Sequence, residues 1–226
     1  SRNTQDYLNL TSVYLDAVFA PKILSNPNIF RQEGWHYEYD GEHLTYNGVV
    51  FNEMKGAMSS VDGVIEEAVQ PLLFPDTAYG YNSGGDPTAI PNLTYEKFID
   101  SYQRHYHPSN ARIYLDGDIP LEETLILLDS YLSRFEASSA SPAFIFQEPH
   151  AARKTVYYEA ANQDDLENQA QVVWGKIFCE WGDQVSILAA SVLSDVLTGS
   201  NDAPLKKAVL DAGLGQNVTL SVLDGV

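Results

Sequence analysis

In the stretch Gly48-Val49-Val50-Phe51-Asn52-Glu53-Met54-Lys55-Gly56, a single carboxylate is set among apolar and small residues. At helical spacing Val49 and Val50 lie one turn before Glu53, and Gly56 and Ala57 one turn after it, so the four share its face. That pattern predicts a buried face, on which the ionised group must be neutralised, because an unpaired charge in low dielectric costs several kcal/mol. An Arg or Lys from elsewhere in the chain, a dense set of donors or a metal ion would each serve.

Around this helix the pattern alternates between helical and extended segments. Asn3 or Thr4 can cap a helix to about Phe19 with Tyr7, Leu8, Leu10, Tyr14, Leu15 and Val18 on its apolar stripe, and Pro21 ends it. Trp35, Tyr37, Tyr39, Leu44 and Tyr46 alternate around Asp40-Gly41, which predicts a hairpin. The Glu53 helix follows directly, breaks near Gly56 to Ser60, and a second helix runs from Ser60 or Asp62 to about Leu73. A loop rich in Pro, Gly, Asn and Asp spans 74–93. Thr94 caps a helix to about His105; 111–115 reads as a short strand. From Glu122 to Phe135 an amphipathic helix carries Leu125, Leu128, Leu132 and Phe135 on one face.

Composition then shifts, and 136–150, with its Ala-Ser repeats and two prolines, reads as a linker. Beyond it, 155–159 and 169–178 are expected strands, Asp183 caps a helix to about Leu197, 203–212 is a further helix closed by Gly213, and 218–223 begins another strand. The order points to α+β with antiparallel sheet. The domains expected are 1–135, a linker at 136–150, and 151–226.

A hydrophobic content of 44% in 226 residues is enough for packed cores. The formal net charge of -18, from 31 acidic against 13 basic residues, argues against nucleic acid as a partner, since a phosphate backbone would be repelled. It suits either a solvated surface or an acidic cavity that attracts basic peptides. The single Cys179 excludes an internal disulfide and a cysteine metal cluster. No apolar run approaches the ~20 residues of a membrane span, so no membrane partner is expected.

Several blocks occur in a fixed order: Phe30-Arg31-Gln32-Glu33-Gly34-Trp35-His36-Tyr37-Glu38, the Glu53 stretch, Leu73-Phe74-Pro75-Asp76, Ser83-Gly84-Gly85-Asp86-Pro87, and Tyr106-His107-Pro108-Ser109-Asn110-Ala111. Together they resemble the presequence-protease branch of the insulinase (pitrilysin) zinc metallopeptidases, from Asn3 to about Gly225. The resemblance implies two incomplete insulinase-type domains, each an antiparallel-rich sheet packed against helices: 1–135 as the C-terminal part of the first, metal-bearing domain and 151–226 as the N-terminal part of the second. It implies that Glu53 is one ligand of a Zn²⁺ ion, with Asn52 and Lys55 at most orienting its helix. In that family an inverted His-x-x-Glu-His helix supplies two further ligands and the general base. No such motif occurs in these 226 residues. No catalytic residue is therefore expected within the chain, which reads as a piece of a longer endopeptidase acting on short unstructured peptides in a closed chamber, inactive by itself. Its partners would be peptide substrates and the remainder of its own chain, in the cytoplasm or an organelle matrix. The alternative is a non-catalytic subunit of the same fold, a peptide-binding or scaffolding module.

Other chemistry-bearing residues read as structural. His105 and His107 stand two apart across a helix end, the wrong spacing for a helical ligand pair. His36 and His43 lie on the hairpin. Glu66 and Glu67 could lie behind a metal ligand but read better as a solvated face, and Glu33 is open to the same two readings. Ser83-Gly84-Gly85-Asp86-Pro87 lacks the ending of a phosphate loop and reads as a turn requiring positive φ. No Gly-x-Ser-x-Gly elbow is present.

Overall fold

The computed structural model describes residues 1–138, 145–160, 166–167 and 169–223. Among these, the helices are α1 (Thr4–Phe19), α2 (Pro27–Glu33), α3 (Val49–Ala57), α4 (Val61–Leu73), α5 (Tyr95–His105), α6 (Leu121–Leu132), α7 (Gln184–Thr198) and α8 (Pro204–Asp211). One antiparallel pair, β1 (His36–Tyr39) with β2 (Leu44–Asn47), supplies the sheet. The class is α+β. Two compact units form, one from 1–60 with 82–145 and the other from 61–81 with 146–226.

In the first unit the helix starts follow local capping chemistry. Asn3 Oδ1 accepts the Asp6 amide at 2.8 Å and Thr94 Oγ1 accepts that of Lys97 at 3.3 Å, each satisfying a donor the helix leaves unpaired. Leu15 of α1 and Leu128 and Tyr131 of α6 form a buried cluster, flanked by Phe19, Leu115, Leu127 and Leu132. The Tyr131 hydroxyl donates to Asp16 Oδ1 at 2.8 Å and stands 3.1 Å from the Ser12 hydroxyl, so the ring is buried without orphaning its polar end. The buried face of α6 is thus Thr124, Leu128 and Tyr131, whereas Leu125, expected inside, is 52% exposed. Thr124 sits fully inside because its hydroxyl donates to Pro120 O at 2.7 Å, which removes the penalty a polar residue would otherwise carry. A second apolar centre joins α2 to α5, with the Phe30 ring 5.4 Å from that of Phe98 and 6.2 Å from that of Tyr95. Tyr95 donates to Ile23 O and Trp35 Nε1 to Leu93 O, at 2.6 and 2.9 Å.

The second unit contains α4, α7 and α8. Asp183 caps α7 by accepting the Ser186 amide at 3.1 Å, and α8 packs against α7. Leu220 N donates to Thr198 Oγ1 at 3.3 Å, tying the last described segment to the end of α7. Asp76 and Gln147 exchange two hydrogen bonds of 3.0 Å.

The segments 155–159, 169–178 and 218–223 do not pair as strands, nor does 111–115 in the first unit; β1 with β2 is the one ladder among the described residues. β-branched and aromatic residues favour a strand through cross-strand neighbours rather than by an intrinsic backbone preference. Without such neighbours these segments form no ladder and much of their apolar surface remains in solvent: Tyr157 and Trp174 are each 92% exposed. Part of the expected linker, 139–144, lies outside the described residues.

Candidate functional site

Three anchors hold α3. Gly48, which precedes the helix, has φ 153°, and a Cβ there would stand 2.3 Å from Gly34 O and 2.7 Å from Trp35 Cα, so only glycine lets the two backbones meet. That approach brings Phe51 N within 3.3 Å of Gly34 O, satisfying a first-turn donor, and buries the Phe51 side chain to 8% exposure against the Tyr46 ring. On the next position, Asn52 Nδ2 donates to Asn47 Oδ1 at 2.7 Å. The third anchor is the glycine turn: Gly85 takes φ 91°, as the sequence required, and a Cβ on Gly84 would fall 2.1 Å from Met54 Sδ, so the turn lies directly on α3. Asp86 stabilises it by accepting from the amide and hydroxyl of Thr88, each at 2.7 Å.

What these anchors leave open is the face of Val49, Val50, Glu53, Gly56 and Ala57. All five are exposed, and a Cβ on Gly56 would meet nothing within 4 Å. Glu53 is therefore not buried, contrary to the expectation drawn from its neighbours. The residues do share one helical face, but nothing in this unit covers it, so the carboxylate remains hydrated and needs no counter-charge. Among the described residues its carboxylate makes no hydrogen bond or ion pair. Lys55 is likewise exposed.

A zinc site needs three or four donors within about 2.0–2.3 Å of the ion. No group of three or more His, Cys, Asp or Glu capable of holding a metal occurs among the described residues. An unpaired carboxylate on an open helical face fits one corner of such a site, and this chain's described residues offer no more than that corner.

The histidines are accounted for structurally. His105 ends α5 and lines an apolar cleft of about 350 Å³ with Phe98, Tyr102 and Tyr106, none of its lining residues a carboxylate or second imidazole. His107 Nδ1 accepts the Ser109 amide at 3.2 Å while its ring meets Phe135 edge-on at 5.4 Å. His36 Nδ1 lies 2.8 Å from Arg31 O. His43 lies 3.8 Å from Asp40 in the hairpin loop, where the amides of His43 and Glu42 hold the Asp40 carboxyl below its usual range. Glu33 accepts from Gln32 at 3.1 Å, and Glu66 and Glu67 lie on α4 in the second unit. Partial burial, then the Asp183 carboxylate, raise the Cys179 thiol, which argues against a nucleophilic role.

One face of the hairpin is aromatic: Tyr37 and Tyr46 face each other in register, rings 5.3 Å apart, with Trp35 edge-on to both at 5.5 and 5.8 Å. The hydrogen bond with Tyr46 raises the Tyr37 phenol. The opposite face carries Glu38 and Asn47, and Asn47 Nδ2 donates to Glu38 Oε2 at 2.7 Å. Neither residue stood out in the sequence. The available signal was an Asn closing the strand, immediately before Gly48 and five residues before Asn52.

Residues 92–225 match the model of the peptidase M16 inactive domain. Over 224 residues the chain is 42% identical to Protein HypA of Clostridium perfringens, covering 97% of this chain and 23% of that protein. It is 41% identical over 232 residues to Presequence protease 1, chloroplastic/mitochondrial, of Arabidopsis thaliana, covering 99% and 21% respectively. With Presequence protease, mitochondrial, of Mus musculus the identity is 34% over 235 residues, covering 98% and 22%. The chain thus spans less than a quarter of the length of these curated relatives.

Proposed function

Since this chain belongs to the peptidase M16 family, we propose that it is a segment of a zinc-dependent endopeptidase that hydrolyses short, unstructured peptides in a closed chamber, and that Glu53 is the one zinc ligand it contributes. The observation that carries this reading is the 41% identity to a presequence protease over 99% of this chain; the Glu53 carboxylate, exposed and unpaired on an anchored helix, leaves room for an ion. When bound, the ion supplies a Lewis acid that polarises a scissile carbonyl and lowers the pKa of water. Glu53 gives the ion negative charge; Phe51, Asn52 and Met54 keep its helix from rotating. The remaining ligands and the general base would come from outside these residues, so the segment alone is inactive. The domain reading that goes with this places 1–135 in the metal-bearing domain, 136–150 as linker, and 151–226 in the second, homologous domain.

The names of the Arabidopsis thaliana and Mus musculus relatives place those two in chloroplasts or mitochondria, and an organelle matrix or the cytoplasm is the compartment proposed here. No helix among the described residues is long and apolar enough to cross a membrane.

A second reading has one observation in its favour. The family model matched over 92–225 describes an inactive domain and does not extend to Glu53. On that basis the parent would be a non-catalytic subunit that binds peptides or serves as a scaffold.

The experiment uses the full-length protein and an unstructured peptide, with and without a chelator, read by mass spectrometry beside metal analysis of wild type and Glu53→Gln. Cleavage abolished by the chelator, together with loss of most zinc in Glu53→Gln, supports the peptidase. Unchanged zinc in Glu53→Gln removes the ligand assignment, and an intact peptide under all conditions favours the second reading.

A further inference from the structure

We propose that Asn47 is a positioning residue for Glu53, an inference that rests on reading Glu53 as a metal ligand. The Asn47 side chain uses three of its four hydrogen-bonding capacities at one point. Its Oδ1 accepts from Gly48 N at 2.7 Å and from Asn52 Nδ2 at 2.7 Å, and its Nδ2 donates to Glu38 Oε2 at 2.7 Å. Glu38 pairs with Thr45 in the hairpin register, so Asn47 is its diagonal neighbour on the polar face. One amide therefore joins β1, β2 and the first turn of α3.

The consequence for Glu53 is geometric. Residues along a helix are about 100° apart in azimuth. Phe51, buried beside Gly34 and Tyr46, fixes one direction; Asn52, held by Asn47, fixes the next. The direction of Glu53 is then set. α3 has nine residues and no side-chain cap at Gly48, so it is too short to hold its first turn by its own hydrogen bonds. The Asn47 amide supplies the missing constraint by satisfying the Gly48 N–H and gripping Asn52. The bond to Glu38 holds the amide where it grips Asn52; losing it frees the first turn, leaving α3 to Phe51 and the Met54 contact with the glycine turn, so that Glu53 can shift away from a fixed ion.

The test is made in the full-length enzyme. Asn47→Asp sets a carboxylate against that of Glu38, whereas Glu38→Gln added to it lets the glutamine amide donate to the new carboxylate and restores the link with its polarity reversed. Zinc affinity is read by chelator competition, fold by thermal unfolding, and kcat and KM are measured separately. The expected result is a zinc dissociation constant raised about tenfold in Asn47→Asp, kcat lowered with KM unchanged, and recovery of both in the double variant. Should Asn47→Asp fail to fold, Glu38→Ala at its exposed position is expected to weaken zinc several-fold, with Glu38→Gln matching wild type because its carbonyl still accepts. Zinc affinity and kcat equal to wild type in Asn47→Asp, or no recovery in the double variant, overturns the proposal. Glu53→Gln run in parallel separates the two levels. If it keeps its zinc, the ligand reading falls and this inference with it; if it loses zinc while Asn47→Asp does not, the positioning role alone is overturned.

Discussion

Gly48→Ala and Gly41→Ala make a matched pair, because both glycines have positive φ but only one lacks room. Gly41, in the hairpin loop, has φ 101° and nothing within 4 Å of a Cβ; Gly48 has φ 153° and three backbone atoms of Gly34 and Trp35 within 2.8 Å of one. Gly41→Ala should therefore cost only the conformational strain, about 1–2 kcal/mol. At Gly48 the same strain is joined by an overlap of about 1 Å that neither backbone can avoid without separating. Separation breaks the Phe51 N–H bond to Gly34 O, about 0.5–1.5 kcal/mol, and uncovers part of Phe51, which is worth about 1.5–3 kcal/mol when fully buried. The expected cost of Gly48→Ala is about 3–5 kcal/mol. Urea unfolding followed through Trp35 is a suitable assay, since Trp174 and Trp181 already stand largely in solvent and change little on unfolding. Equal midpoints and slopes for the two variants would refute the claim that the hairpin and α3 meet through a backbone contact.

Leu128→Ala empties the centre of the α1–α6 cluster and should cost about 2–5 kcal/mol by chemical denaturation. Tyr131→Phe keeps the ring but leaves Asp16 and Ser12 without their shared hydroxyl, an expected loss of about 1–2 kcal/mol in the same assay. Asp183 has a depressed pKa because the Ser186 hydroxyl and amide bond its carboxylate. Its contribution to α7 is thus complete above the unfolded value near 3.9 and is lost as pH falls through the lower folded value. Amide exchange across 184–190 should lose protection in that acid window, and Asp183→Asn, which still caps, should flatten the dependence.

The parts of this fold that could be read from the sequence are those decided within a few residues. Asn3, Thr94 and Asp183 each cap a helix by bonding an amide three positions on, and the hairpin follows from alternation within six residues of Asp40. Features decided by distant contacts were less legible. A stripe of leucines predicted the buried side of α6, but burial is settled by what α1 offers, and Tyr131 bonding Asp16 turns α6 so that Leu125 faces solvent. The expected strands at 155–159 and 169–178 have the composition of strands without the partners that a ladder requires. For Glu53 the spacing correctly placed it among Val49, Val50, Gly56 and Ala57. Spacing is silent on whether anything covers the face they share.

That open face sets a condition on whatever does cover it. Hydrated, Glu53 carries no penalty; enclosed beside Val49 and Val50, it would lose its water, so a covering body must bring positive charge or a dense set of donors to it. Lys55 cannot be that charge, being two positions along and roughly 200° around the helix. The two remaining sources, an Arg or Lys from another part of the protein and a divalent ion, respond oppositely to Glu53→Leu in the full-length enzyme. Removing the carboxylate from a buried ion pair strands the cation and should destabilise the fold by about 3–5 kcal/mol whether or not zinc is present. Removing a metal ligand should abolish zinc binding while leaving the chelator-treated wild type and variant within about 1 kcal/mol of each other, since without the ion no cation is stranded. Differential scanning calorimetry of both proteins, with and without chelator, distinguishes the two. A large destabilisation that persists in the chelator would mean that Glu53 serves the fold, and that zinc, if bound, is held without it.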